Sequence, residues 1–164
     1  MNELIEAIAN SPIGIMMAEN PIAFPWVETV HVVAITTVLG VIAIVDLRLL
    51  GLAGVSYPVS RLSNTLVPVT WVAFALAAIT GALLFTSQPA TYVENFAFQM
   101  KMLLLVAAGL NMALFHLFTM KGIAVWDKDA VLPMGARLAG LLSLVIWVLV
   151  VGFGRWIGFT MSPF

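Results

Sequence analysis

Charged side chains in this 164-residue chain stand almost entirely between its apolar stretches. No Asp, Glu, Lys or Arg occurs from Leu62 to Val93, from Met102 to Met120 or from Leu138 to Gly154. A fourth stretch, Thr29 to Val45, is interrupted only by His31. Each can supply the roughly 20 apolar residues that a helix needs to cross a hydrocarbon core of about 30 Å. The pattern predicts an all-α fold: a four-helix transmembrane bundle in which backbone polar groups are satisfied within each span.

Composition narrows the class further. The chain is 62% hydrophobic and 9% charged, far from the roughly 25% charged residues of soluble domains. Four spans with short connections leave no room for a second domain, so residues 23–164 form one bundle behind an interfacial segment, residues 1–22. A net charge of -1 offers no clustered basic surface for nucleic acid. The absence of cysteine removes disulfides, Cys-ligated iron–sulfur clusters, c-type haem attachment and thiol catalysis together.

The N-terminus does not read as a cleavable signal, which opens with a positive region. Glu3, Glu6 and Glu19 are acidic, and the first basic residue is Arg48. Leu4, Ile5 and Ile8 share one helical side, and Ser11-Pro12 reads as an N-cap followed by first-turn proline. Two short amphipathic helices lying in the membrane interface are expected, with a partner-binding surface as the alternative.

The spans are predicted at about Trp26–Leu50, Val67–Ser87, Phe96–Met120 and Leu138–Phe159. Pro25, Pro58, Pro89 and Pro133 fall in connections, and Pro68 in the first turn of the second span. Trp26, Tyr57, Tyr92, Trp126 and Trp156 lie near the boundaries, as an aromatic belt would. Trp71 and Trp147 lie deeper. Ala73, Ala77 and Gly81 follow a small-xxx-small rhythm suited to close helix approach, and Gly109, Gly140, Gly152 and Gly154 are candidates for the same role. The first and third connections hold Arg48, Arg61, Lys121, Lys128 and Arg137, whereas the other side holds Lys101 and Arg155. The positive-inside rule then puts both termini outside, in the periplasm of a bacterial inner membrane.

Ionisable groups within spans are costly and usually face a partner or a cavity. On the first helix His31 and Asp46 are 15 positions apart, and so are Lys101 and His116 on the third. At 100° per residue each pair lies about 60° apart in angle and about 22 Å apart along its helix. The two helices run in the same direction, so two polar layers result. The outer layer is expected to hold Glu28, His31, Lys101 and Arg155, with Glu94 nearby. The inner layer is expected to hold Asp46, Arg48, Asn111, His116 and Arg137, with Thr70 nearby and Asp46 paired to His116.

That depth difference, about 24 Å between the two histidines, prevents them from sharing one b-type haem. A haem at the outer layer would need His31 with a second ligand, for which Met100 is best placed. Glu28 and His31, with methionines around them, also make a metal site an alternative, although no HxxxH or HExxH spacing supports it. Nucleophile elbows, phosphate loops and paired catalytic carboxylates are absent, so no catalytic residues are assigned.

The run Asp46-Leu47-Arg48-Leu49-Leu50-Gly51 closes the first helix, Tyr92-x-x-Asn95-x-x-Phe98-x-x-Lys101 opens the third, and Ala108-Gly109-Leu110-Asn111 follows within it. On these residues the chain resembles an uncharacterised family of small bacterial four-span membrane proteins, most clearly from His31 to Asn111. The resemblance implies a fold and a membrane location and no reaction. The leading expectation is a non-enzymatic membrane subunit or anchor for a periplasmic or membrane protein partner. The alternatives are a b-type haem electron-transfer subunit with His31 as axial ligand, and a small proton or metal transporter working as a homo-oligomer.

Overall fold

The computed structural model describes residues 2–129 and 131–161; Met1 and residues 162–164 of the expected segments lie outside the described residues. The described elements are all helical. Two short helices, α1 (Asn2–Ala9) and α2 (Pro12–Glu19), precede α3 (Ala23–Leu50) and α4 (Val59–Ser87). A short α5 (Pro89–Glu94) leads into α6 (Phe96–Leu114), which continues through a π turn (Phe115–Thr119), a 3-10 turn (Met120–Gly122) and α7 (Ile123–Trp126). The last helix is α8 (Met134–Thr160). Four continuous helical stretches, Ala23–Leu50, Val59–Ser87, Phe96–Trp126 and Met134–Thr160, are long and apolar enough to cross a membrane. The molecule is a multi-pass membrane protein.

Local chemistry sets the helix ends. Ser11 accepts a hydrogen bond from the Gly14 N–H at 3.0 Å, with Pro12 just inside α2. Asn95 does the same for α6 through the Phe98 N–H at 3.2 Å. Helix α3 stops at Gly51, whose φ of 74° permits the left-handed turn that satisfies the last carbonyls.

Three sequence expectations shift. The second span begins at Val59, so Pro68 lies inside α4 rather than in its first turn. Its missing N–H leaves the Asn64 carbonyl without a helical partner. Pro25 sits within the first turn of α3 instead of in the preceding connection; N–H groups of a first turn have no helical partner in any case. Trp126 is buried in a core cluster with Leu49, Val59, Phe115, Leu132 and Ala136, while Trp26, Tyr57 and Trp156 are exposed. The end of the third span carries Trp126 into that cluster.

Helix α3 packs against both α4 and α8, and α6 packs against α8. Around the bundle the order is therefore α4, α3, α8, α6. The α3–α8 approach is close at Gly140, where a Cβ would stand 2.9 Å from Leu49 Cβ and 3.1 Å from the Asp46 carbonyl oxygen. Gly109 and Gly152, also expected to pack, have nothing within 4 Å of a built Cβ. A mid-bundle core gathers Val38, Ala73, Trp147 and Val150, with Phe74, Leu104 and Leu105 against them. Phe74 meets Trp147 edge-on across the centre, with ring centroids 6.4 Å apart. Helices α1 and α2 fold back against α4 and α5, and Met17 is fully buried there. The face bearing α1, α2 and the end of α8 is called the terminal face, and the opposite one the loop face.

Candidate functional site

The polar groups within the spans fall into two groups at opposite ends of the bundle. On the terminal side, His31 Nδ1 lies 3.0 Å from Thr80 Oγ1, and Lys101 Nζ lies 3.4 Å from His31 Nε2. Thr80 directs its own hydroxyl to the Leu76 carbonyl at 2.7 Å, so it accepts from His31 Nδ1–H. The Nε2 lone pair then faces the lysine amine. The resulting chain, Lys101 to His31 to Thr80 to the Leu76 carbonyl, crosses α6, α3 and α4. Gly81 and Gly154 make room for it: a Cβ at either would stand 3.0 Å from His31 Cε1 or 3.4 Å from Lys101 Nζ.

Other residues expected in this layer go elsewhere. Glu28 is half-buried beside Tyr92, whose phenol is pushed above its ordinary pKa by burial and then by the Glu28 charge. Arg155 is exposed, with its guanidinium 4.7 Å from the centre of the Phe159 ring. Glu94 is exposed. Met100 is half-buried, and the two nitrogens of His31 face Thr80 and Lys101. Among the described residues no group of three His, Asp or Glu side chains could hold a metal ion.

On the loop side, Arg48 is buried and turned toward the connections. Its Nε donates to the Tyr57 carbonyl at 2.9 Å and Nη2 to the Asp129 and Asp127 carbonyls at 3.1 and 3.4 Å. Asp127 accepts the Ser60 N–H and the Ser60 hydroxyl, each at 2.7 Å, and so caps α4 from the far connection. Desolvation would raise the Asp127 pKa, but the two Ser60 hydrogen bonds, with Lys128 and Arg48, hold it below the usual carboxylate range. Arg137 is exposed and borders a separate hollow beside Leu50 and Gly51.

Asp46 and His116 do not pair. His116 Nδ1 bonds the Met112 carbonyl of its own helix at 2.9 Å, and Asp46 Oδ2 is buried without a hydrogen-bond partner. Both border a cavity of about 230 Å³ together with Ser63, Thr70, Asn111 and Ser143. The cavity exists because α4 and α6 scarcely pack against each other. The stacked rings of Phe85 and Phe98, 5.7 Å apart, close that seam near the terminal face. Below the layer formed by Trp71, Phe74 and Trp147, the seam is open.

A model of the family of unknown function DUF6644 matches residues 13–160. The chain belongs to that family. No curated protein and no solved structure matches it. The match extends the resemblance beyond the His31–Asn111 region to α2 and to α8.

For this DUF6644 protein, sequence reasoning missed Thr80 as the third member of the His31 chain and Ser60 and Asp127 as a cap between connections. Thr80 carried a signal, because it lies one residue before Gly81 on the small-residue face of α4. Ser60 and Asp127 carried none, since nothing local shows that two connections meet. Asn111 falls where the inner layer was expected, but its amide donates to the Ala139 carbonyl at 3.0 Å and ties α6 to α8.

Proposed function

We propose that this protein is a non-catalytic membrane subunit or anchor of a bacterial inner membrane, with both termini on the periplasmic side, and that it holds a partner protein at its terminal face. The observation that carries the reading is the use made of polar side chains near that face. His31, Thr80 and Lys101 are consumed in joining three helices, and Asn95 joins α6 to α8 through Thr160 at 2.8 Å. Side chains spent on one another brace a scaffold. Over this frame, α1 and α2 expose Leu4, Ile13, Ile15 and Met16 beside the acidic Glu3, Glu6 and Glu19, an amphipathic surface available to a second protein. A transport pathway draws less support, because the apolar layer around Val38, Phe74 and Trp147 separates the two polar groups.

Photo-crosslinking residues placed at Leu4 and Ile15 test the reading in native membranes. The expected result is one discrete protein adduct from both positions. Lipid adducts alone would leave α1 and α2 as interfacial helices and overturn the partner role. A Soret band in the purified protein that disappears in His31→Ala would replace the reading with haem binding.

A further inference from the structure

The geometry points to the α4–α6 cavity as a binding site for a lipid-soluble primary amine, its ammonium group at Asp46 and its apolar body in the seam. This site is on the loop side and goes beyond the partner role assigned to the terminal face.

Three observations converge on that ligand chemistry. First, Asp46 is 4% exposed, yet its Oδ2 has no partner, an arrangement that ordinarily costs stability unless something supplies a donor. Second, no Lys or Arg side chain lines the cavity, although Arg48 Nη1 is itself buried without a partner. Arg48 faces the connections, Arg137 borders another hollow, and Lys101 belongs to the His31 chain at the other end. Third, two of the neutral polar groups around the cavity direct a donor away from it, which leaves the Ser63 and Ser143 hydroxyls as donors in its wall. The Asn111 amide N–H goes to the Ala139 carbonyl and the Thr70 hydroxyl to the Leu66 carbonyl. A carbonyl only accepts, so His116 Nδ1 carries the proton facing Met112.

The cavity therefore presents a carboxyl oxygen beside two serine hydroxyls, with no Lys or Arg in its walls. A primary ammonium supplies three donors in a small volume. The remaining walls, among them Val67, Trp71, Phe74, Leu105 and Trp147, are apolar and suit an alkyl or ring body. Access is lateral, from the bilayer, because the seam between α4 and α6 is where the bundle is least packed. An anionic head would bring only acceptors to the unpartnered Asp46 oxygen, and a neutral alcohol would supply one donor.

The test is saturable binding of radiolabelled dodecylamine to the protein in lipid nanodiscs, with uptake by empty nanodiscs subtracted. Dodecanol and dodecanoate serve as competitors, and Asp46→Asn and Gly109→Leu as variants. Gly109 borders the cavity and has open space beyond it, so leucine there fills the seam without displacing backbone. The expected result is about one saturable site per chain, affinity lowered about tenfold or more in Asp46→Asn, loss of binding in Gly109→Leu, and no competition by the alcohol or the acid. Equal competition by dodecanol, wild-type binding in a folded Gly109→Leu protein, or no saturable excess over empty nanodiscs would each overturn the proposal. Gly109→Leu decides the matter if Asp46→Asn fails to fold. Partner crosslinking at Leu4 or Ile15 is independent of all these outcomes.

Discussion

Lys101 Nζ stands 3.4 Å from His31 Nε2 and joins α6 to α3, two helices that lie diagonally across the bundle and barely pack. In a bilayer, apolar side chains gain little by leaving lipid for one another, so a polar strut of this kind contributes directly to helix association. His31→Ala leaves the Lys101 amine buried without that acceptor and removes the donor to Thr80. The expected loss is about 1–3 kcal/mol, read as a lower melting temperature in detergent. A double-mutant cycle of His31→Ala with Lys101→Met should give a coupling of about 0.6–1.7 kcal/mol, the range found for hydrogen bonds between spans. Additive effects would show that the two side chains act separately.

Glycine substitutions should separate close helix approaches from open faces. At Gly140 the new methyl meets Leu49 Cβ and the Asp46 backbone, neither of which is a flexible chain end. Gly140→Ala is therefore expected to destabilise by about 1–3 kcal/mol. Gly152 has nothing within reach, so Gly152→Ala should be neutral or stabilise by up to about 1 kcal/mol through helix propensity. Thermal melts of the two variants check both signs. Matching shifts would mean that α3 and α8 are not closely packed at Gly140.

The contrast between these two glycines also marks how far the sequence could be read. Four spans followed from charge-free length, and the 15-residue spacings His31–Asp46 and Lys101–His116 on parallel helices led to the expectation of two polar layers. Lys101 lies beside His31, and 15 helical residues, about 22 Å, separate it from His116. What escaped was anything requiring knowledge of which helices are neighbours. Gly109 and Gly140 look alike in a sequence, yet one faces the open seam and the other faces α3. The expected Asp46–His116 pair failed for the same reason: equal depth does not bring two side chains together when the helix pair that bears them is separated by a cavity. Arg48 was placed in the inner layer by depth alone, but at two positions from Asp46 on a helix it points to the other side and finds loop carbonyls instead.

The Asp127 cap predicts an acid-sensitive loop face. Because the folded-state pKa lies below the ordinary value of 3.8, the contribution is fully present above that value and disappears as pH falls through the folded pKa. Melting temperature should thus drop below about pH 4 in the wild-type protein, and less so in Asp127→Asn, which keeps an acceptor without the charge. Asp127→Ala removes the cap from α4 and should cost about 1 kcal/mol at neutral pH. An identical acid profile in wild type and Asp127→Asn would show that another carboxyl governs the transition.

Orientation can be settled with the chain's own lack of cysteine, which makes any introduced thiol unique. Thr91 on α5 and Lys128 in the last connection are both exposed and lie at opposite faces of the bundle. If the basic connections are cytoplasmic, Thr91→Cys reacts with a membrane-impermeant maleimide on intact spheroplasts, whereas Lys128→Cys reacts only after permeabilisation. Neither substitution touches the His31 chain or the cavity, and Lys128→Cys leaves both Ser60–Asp127 hydrogen bonds in place, so folding should be preserved in both. The reverse labelling pattern would place α1 and α2 in the cytoplasm. The partner proposed for the terminal face would then have to be sought there, and the α4–α6 cavity would lie nearer the outer leaflet.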